Sequence, residues 1–513
     1  MNKLLLLPFL FVFLQSFSQY GVLDGDFDAD GLLLLDPAAT DYGQEIVVQP
    51  DGKILLAGYG PFGVNSLDYY CYRLFPDGSL DPSFGNNGLA VIDINGGVNE
   101  CYAMVLQPDG KILLGGAIHN TATGFCVVRL NANGTLDGSF GNGGAAIVAF
   151  GDGPDFAYDL ALQADGKIVA AGITAGGLDL DIALLRLNTN GTLDTSFSFD
   201  GKVITSIADD DWAQGVAVSA NGKITVAGSA QDTFNGTSTA LIRYNADGTL
   251  DNSFGVNGVV ETDFSDGVDE FHELTLSDNG EIIAVGASWN GSSTDMLVAR
   301  FLADGSPDNS FSFDGFVESD FNGGTDRAWS VLIQPDNKIL VGGKATFGAE
   351  RLALIRYAWD GSLDNTFGTN GKVNTQVGTN DELISIALQP GGKIVGGGTV
   401  TDGDKDLVVA RYTSGIVVGM DELHSEEGRT MVYPNPVTGT SLTVDYVINP
   451  SEQATFDLYS ATGQFIGRLN PSQLEANTQG QLTLHLPTLA EGSYILCLST
   501  VDGVVYATFI VVR

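Results

Sequence analysis

Positive charge is what this chain has least of for its size. Its 513 residues hold 23 Lys and Arg against 63 Asp and Glu, a formal net charge of −40. A surface of that sign excludes nucleic acid as a partner, because binding phosphate needs a basic face. It keeps the exterior solvated and attracts cations. Cysteine is almost as scarce: Cys71, Cys101, Cys126 and Cys497 fit neither a disulfide framework nor a metal site, so buried free thiols are expected. The four histidines, His119, His272, His424 and His485, are scattered singly, which leaves zinc without a ligand-spaced set. A G-x-S-x-G elbow and a phosphate-binding glycine loop are both missing. Beyond the first residues no apolar stretch is long enough to span a bilayer.

What is present is turn-rich and apolar, with 67 glycines and 44% hydrophobic residues. The chain opens with Lys3, an apolar run from Leu4 to Leu14, and Ser16-Phe17-Ser18. That order is a secretory signal peptide over residues 1–18, too short for a transmembrane helix. After it, one phrase keeps returning. RLNANGTLDGSFGNGG from Arg129 recurs with small changes from Arg73, Arg186, Arg243, Arg300 and Arg356. A second phrase, QPDGKILLAG and its variants, is marked by Lys53, Lys111, Lys167, Lys223, Glu281, Lys338 and Lys393, which stand 58, 56, 56, 58, 57 and 55 residues apart. Seven units of near-constant period mean a repeat architecture.

Each unit reads as four short strands. Alternation such as Leu160-Ala161-Leu162 ends at an Asp-Gly or Asn-Gly pair, the strongest short hairpin signal, and a β-rich run follows at once. A third run leads to the repeat arginine, and a fourth follows the L-D-x-x-F-x-x-x-G loop. Four strands per unit without helical periodicity describe a propeller blade. The ends are offset: Leu23-Asp24-Gly25-Asp26-Phe27 has no arginine before it, whereas Arg411 opens RYTSG and the copy stops. The two remnants complement each other, so residues 31–35 are expected to supply the fourth strand of the last blade. That pairing also covers an open sheet edge. The expectation is an all-β, seven-bladed propeller over residues 19–412. Groups that occur once per blade read as scaffold: the arginine on a loop carbonyl or on an aspartate such as Asp137 or Asp194, the phenylalanine plugging gaps between blades.

With its L-D-x-x-F-G-x-x-G and P-D-G-K-I phrases, the stretch from Leu23 to Tyr412 resembles the delta-60 repeat family. The resemblance implies a bacterial, secreted or surface β-propeller and no defined activity. A polar linker spans 413–432, and 433–513 carries short strand-like runs that suggest a small β-sandwich. Tyr433-Pro434-Asn435-Pro436, the D-L-Y-S-A-T-G-Q phrase from Asp457 and the L-x-x-G-x-Y phrase from Leu489 resemble the C-terminal sorting domain of type IX secretion, found in Bacteroidota. That resemblance implies export through the type IX machinery, with the tail commonly removed.

Two acidic constellations are candidate sites. Asp26, Asp28 and Asp30 form a D-x-D-x-D-G phrase whose alternate oxygens suit Ca²⁺, although Pro37 stands where the bidentate Glu of a calcium loop belongs. The alternative is a repeat loop decorated with extra carboxylates. Twelve residues before each landmark stand Asp41, Asn99, Asp155, Asp211, Asp269, Asp326 and Asp381. If the first strand is innermost, they ring one mouth of the channel and raise one another's pKa or recruit a cation; otherwise each caps its own loop. No catalytic residue and no organic cofactor is indicated. The functional expectation is a secreted, non-catalytic binding or adhesion module with a glycan or protein ligand. A polysaccharide hydrolase or lyase and a structural surface protein are the alternatives.

Overall fold

The computed structural model describes residues 20–36, 40–62, 67–119, 123–151, 153–176, 179–232, 236–265 and 267–415, and in the tail 431–433, 441–447, 455–460, 465–469, 479–487, 489, 492–500 and 503–511. The expected leader and most of the linker lie outside the described residues. Within them the chain is all strand and turn, and no helix is long and apolar enough to cross a membrane.

Seven four-stranded antiparallel sheets make up the propeller among the described residues. In the third blade the strands are Asp155–Leu162, Ile168–Thr174, Asp181–Leu187 and Lys202–Thr205, hydrogen-bonded in chain order. The first turn shows why the sequence folds this way. Gln163 donates to the Lys167 carbonyl, Gly166 sits at φ +82°, and Asp165 accepts the Lys167 N–H. Glycine adopts that left-handed conformation at no steric cost, and in the sixth blade Asn337 fills the same place at φ +60°. The second and third strands are buried along most of their length, and Ile54–Gly60 throughout, because blades stack face to face on both sides of them.

The wheel is closed. Leu32–Leu35 pairs antiparallel with Leu407–Ala410, so the seventh sheet takes its outer strand from the amino-terminal end and its other three from Glu382–Leu388, Ile394–Asp402 and Asp404–Tyr412. The first strands of neighbouring blades face each other around the axis, and the first strand of blade one packs on that of blade seven. The buried side chains fall into seven clusters, each between two adjacent blades; one joins Ile46, Leu56 and Tyr70 of blade one to Val395 and Val409 of blade seven. The hydrophobic effect therefore acts between blades, on faces that no single blade could bury alone.

The recurring charged residues form an interlock at the hairpin face. In blade three, Arg186 Nε donates to Asp194 (2.7 Å), Nη2 to Ser196 Oγ (3.2 Å), and Nη1 crosses to the Ala246 carbonyl of blade four (2.5 Å). Lys167 Nζ approaches the same aspartate at 3.1 Å, and the guanidinium lies 4.6 Å from the Phe197 ring centroid. Burial alone would raise the Asp194 pKa; bonds from Ser196, Lys167 and Arg186 outweigh it and hold the group well below the usual carboxylate range. Phe197 plugs the junction, since a Cβ on Gly248 in the blade-four turn would lie 3.0 Å from its ring. The same crossing is made by Arg73 to Ala132, Arg129 to Thr189, Arg243 to Ala303, Arg300 to Trp359, Arg356 to Ser414 and Arg411 to Pro76. In the seventh blade the aspartate is Asp24, 2.8 Å from Arg411 Nε, and the ring is Phe27. Blade five differs in having Glu281 in place of the lysine.

In the tail, strands Met431–Tyr433, Ser441–Val447 and Gln479–His485 form one sheet, and Thr455–Ser460, Phe465–Leu469, Gly492–Thr500 and Gly503–Val511 form a second. Leu442, Val444 and Leu484 of the first meet Phe456, Leu458 and Leu496 of the second in one core.

Candidate functional site

The face opposite the interlock surrounds the other mouth of the channel, and there the blades stop resembling one another. Each first strand carries a β-bulge at the same place: Gln44, Tyr102, Tyr158, Gln214, His272, Trp329 and Ile384 are the extra residues. A bulge shifts the alternation by one and re-aims the side chains beyond it. The residues after it are Glu45, Ala103, Asp159, Gly215, Glu273, Ser330 and Ser385.

This layer is polar and tied from blade to blade. Asp159 accepts the Val216 N–H (2.7 Å), Glu273 the Val331 N–H (2.8 Å), Ser330 the Ile386 N–H and Ser385 the Ile46 N–H (3.2 Å each). Ser385 in turn donates to Glu45 at 2.7 Å. Desolvation pushes the Asp159 carboxyl up to about 7. Glu273 is raised to about 8, by burial first and by the charge of Asp159 second. Burial and then the charge of Glu273 raise Glu45 as well. The three acids repel one another, and near neutral pH the belt holds protons that exposed carboxylates would have lost.

Above the belt the mouth has two characters. Over blades one to three it is aromatic: Tyr42 stacks on Tyr59 (centroids 4.8 Å), Tyr59 meets Tyr102 edge-on (5.6 Å), Tyr102 meets Tyr158 (5.2 Å), and Tyr158 lies parallel to Phe156 (5.9 Å). Glu100 sits among them, accepting from Tyr102 (3.1 Å) and facing His119 Nε2 (3.4 Å). Over blades five to seven it is ionic. Glu270 pairs with Arg327 (2.8 Å) and His272 (3.3 Å), and Lys344 joins Glu350 (2.8 Å) to Glu382 (2.5 Å). The His272 bond and the Arg327 charge hold Glu270 at about 2. No recurring phrase marks these residues, and Tyr102, Tyr158 and His272 among them are bulge residues, whose register the sequence does not display.

The recurring residues stand at the head of each first strand. Asp41, Asn99, Asp155, Asp211, Asp269, Asp326 and Asp381 are all fully buried. Loop N–H groups point at five of them: Phe150 onto Asp155, Ile207 and Ala208 onto Asp211, Phe264 and Ser265 onto Asp269, Phe321 onto Asp326, Val377 and Gly378 onto Asp381. Asp26, Asp28 and Asp30 are exposed, and their oxygens do not converge to metal-binding distance. Asp30 accepts the Leu32 N–H, and Asp28 and Ala29 adopt φ +42° and +70°, close to Ser198 (+48°) and Phe199 (+71°) in blade three. The first loop is thus a repeat loop in conformation.

Fold and site together define a closed, seven-bladed β-propeller with one uniform face, one individual face and an appended strand-rich tail. A family model described as a domain of unknown function (DUF5122) beta-propeller matches residues 49–84, 107–140, 163–197, 219–254, 278–311 and 334–367, and a secretion system C-terminal sorting domain matches 431–512. The chain carries DUF5122 β-propeller repeats, of the delta-60 type, and a type IX secretion sorting domain. It is a secreted or outer cell-surface protein, with the type IX machinery as a partner. A contiguous seventh match is impossible, because that unit is divided between residues 389–415 and 24–27.

No similar sequence was found among curated proteins. Among solved structures the chain is similar to a Dyadobacter fermentans protein of unknown function (12% identity, 75% of this chain and 98% of that one, TM-score 0.39). It is also similar to a putative oxidoreductase (glucose dehydrogenase) of Thermus thermophilus (14%, 74% and 100%, TM-score 0.34) and to polysaccharide lyase Uly1 (10%, 78% and 98%, TM-score 0.39). None of these likenesses bears on what the chain binds.

Proposed function

We propose that the propeller is a non-catalytic binding module of the cell exterior, holding a glycan at the channel mouth over blades one to three. The observation that carries this reading is the shelf of Tyr42, Tyr59, Tyr102, Phe156 and Tyr158 on blades whose opposite faces are nearly identical. Aromatic faces beside a few fixed polar groups, here Glu100 and His119, suit an amphipathic ring: apolar C–H faces stack while hydroxyls reach the carboxylate. The belt beneath argues for binding over turnover. A glycosidase needs one acid protonated and its partner ionised, whereas Glu45, Asp159 and Glu273 are all raised.

One arrangement favours hydrolysis or elimination instead: Glu270 is held low and Glu273 high on the same strand. Glycan-array binding by the purified protein, repeated with Tyr102→Ala and Phe156→Ala, separates the two readings. Stacking predicts at least a tenfold loss in each variant and no new reducing ends. Release of sugar that Glu273→Gln abolishes would overturn the binding reading.

A further inference from the structure

Three carboxylates converge where the fifth and sixth blades meet, on the individual face. Asp295 opens the inner-facing part of its third strand, Asp320 directly follows the fourth, and the Met296–Ser319 register sets the two opposite each other. Asp326 ends the connection into blade six. One oxygen from each of the three lies within 4.8 Å of the others. Like charges placed directly across strands are destabilising, and two of these three are buried.

Protein donors account for only part of the cluster. Asp326 accepts from the Phe321 and Thr346 N–H groups at 2.7 and 2.9 Å. Asp320 Oδ1 accepts from Asn322 and Gly323 in its own turn. Asp295 is 7% exposed; its Oδ2 accepts from Asn290 (2.9 Å), but its Oδ1 is buried with no hydrogen-bond donor. Such an oxygen calls for a partner that protein atoms do not supply here. Lys372 is the nearby cation, yet its ammonium donates to the Asp320 backbone carbonyl (2.7 Å) and lies over the Phe321 ring. Related sets stand at two other junctions, Asp68 with Asp93 and Asp406 with Asp36, and there too Asp68 Oδ1 and Asp406 Oδ1 are buried without a donor. Only at the junction of blades five and six do three acids gather closely enough to share an ion among the described residues.

We propose that Asp295, Asp320 and Asp326 bind one Ca²⁺ ion, which ties blade five to blade six at the individual face. The ligands are all hard oxygens, the open side at exposed Asp320 leaves room for water, and extracellular sites of this kind work at high micromolar to millimolar calcium.

The test is thermal unfolding and calorimetry of the purified protein with CaCl₂ after chelation. One equivalent should bind, and saturation at about a hundredfold over Kd should raise Tm by about 3 °C. Asp320→Asn keeps the acceptor for its turn and leaves the buried acids in place, so it should fold and weaken calcium at least tenfold. Asp295→Asn should raise Tm in chelator and abolish the calcium response. No heat and no Tm shift at 10 mM CaCl₂, an undiminished response in Asp320→Asn, or an equal response to MgCl₂ would each overturn the proposal.

Discussion

Cross-linking the closure is the most direct probe of the wheel. Leu34 and Val408 are antiparallel partners at the seam, Leu34 being 49% exposed and Val408 fully buried. Replacing both with cysteine, in a Cys497→Ser background, places the thiols on facing Cα positions, within reach of a disulfide. The native thiols should not compete: Cys71, Cys101 and Cys126 are all buried, and desolvation pushes all three up, Cys71 and Cys126 to about 12, so none supplies thiolate near neutral pH. The bond closes a loop of 375 residues. Loop-closure entropy assigns it about 6 kcal/mol, from which losing the Val408 methyl group removes about 1 kcal/mol. Measured disulfides fall short of that model, and a realised gain of about 2–4 kcal/mol is expected. Spread over an unfolding entropy of roughly 2.1 cal/mol/K per residue and roughly 390 residues, that is a Tm rise of about 2–5 °C. Non-reducing electrophoresis reports the bond as faster migration, and calorimetry with and without reductant reports the shift. Failure to oxidise under mild diamide, or a cross-linked protein that melts no higher than its reduced form, would refute the closure.

Four further outcomes are expected from the same geometry. The channel acids bind more protons folded than unfolded, so they stabilise below about pH 4 and that contribution is lost as pH rises through 7 and 8. Urea titrations of Glu273→Gln should therefore show a gain of about 1–3 kcal/mol at pH 9 and none at pH 5, after allowance for solvent in the channel. The interlock aspartates have the opposite sign: Asp194 is depressed, so its contribution is present above about pH 4 and disappears as pH falls below that. Arg186→Met should cost about 3 kcal/mol at pH 7 by stranding Asp194, whereas Glu281→Lys, which restores in blade five the cation the other blades have, should add about 0.5–1 kcal/mol in the same assay. Gly191→Ala should cost at least about 2 kcal/mol, because φ is +83° and the new methyl would stand 2.6 Å from the Gly141 nitrogen.

The scaffold was legible because its signals are local and repeated. The tight turns recur in all seven units, the arginine with its aspartate eight residues on and the phenylalanine three further recur in the six undivided ones, and the divided unit is the trace of the seam between Leu32–Leu35 and Leu407–Ala410. The mouth was not legible. Tyr102, Gln214, His272 and Ile384 are an aromatic, an amide, an imidazole and an aliphatic side chain, so nothing in the sequence shows that each is the extra residue of a bulge. Without that bulge, alternation puts Asp159 and Glu273 on the wrong side of the strand. The acids that did recur, such as Asp211, point at loop amides because a repeated residue answers a repeated need of the backbone. Asp295 and Asp320 lie 25 residues apart and meet only through strand pairing.

Each of the seven interlock arginines reaches forward into the following blade, so the wheel has a sense of rotation. An in-frame duplication of one unit would leave each handshake intact: the newcomer grips the next turn and is gripped by the one before. The outer architecture therefore sets no limit on the number of spokes. The hub sets it, where side chains as different in size as Glu45, Ala103, Asp159, Gly215, Glu273, Ser330 and Ser385 have to fit around one axis.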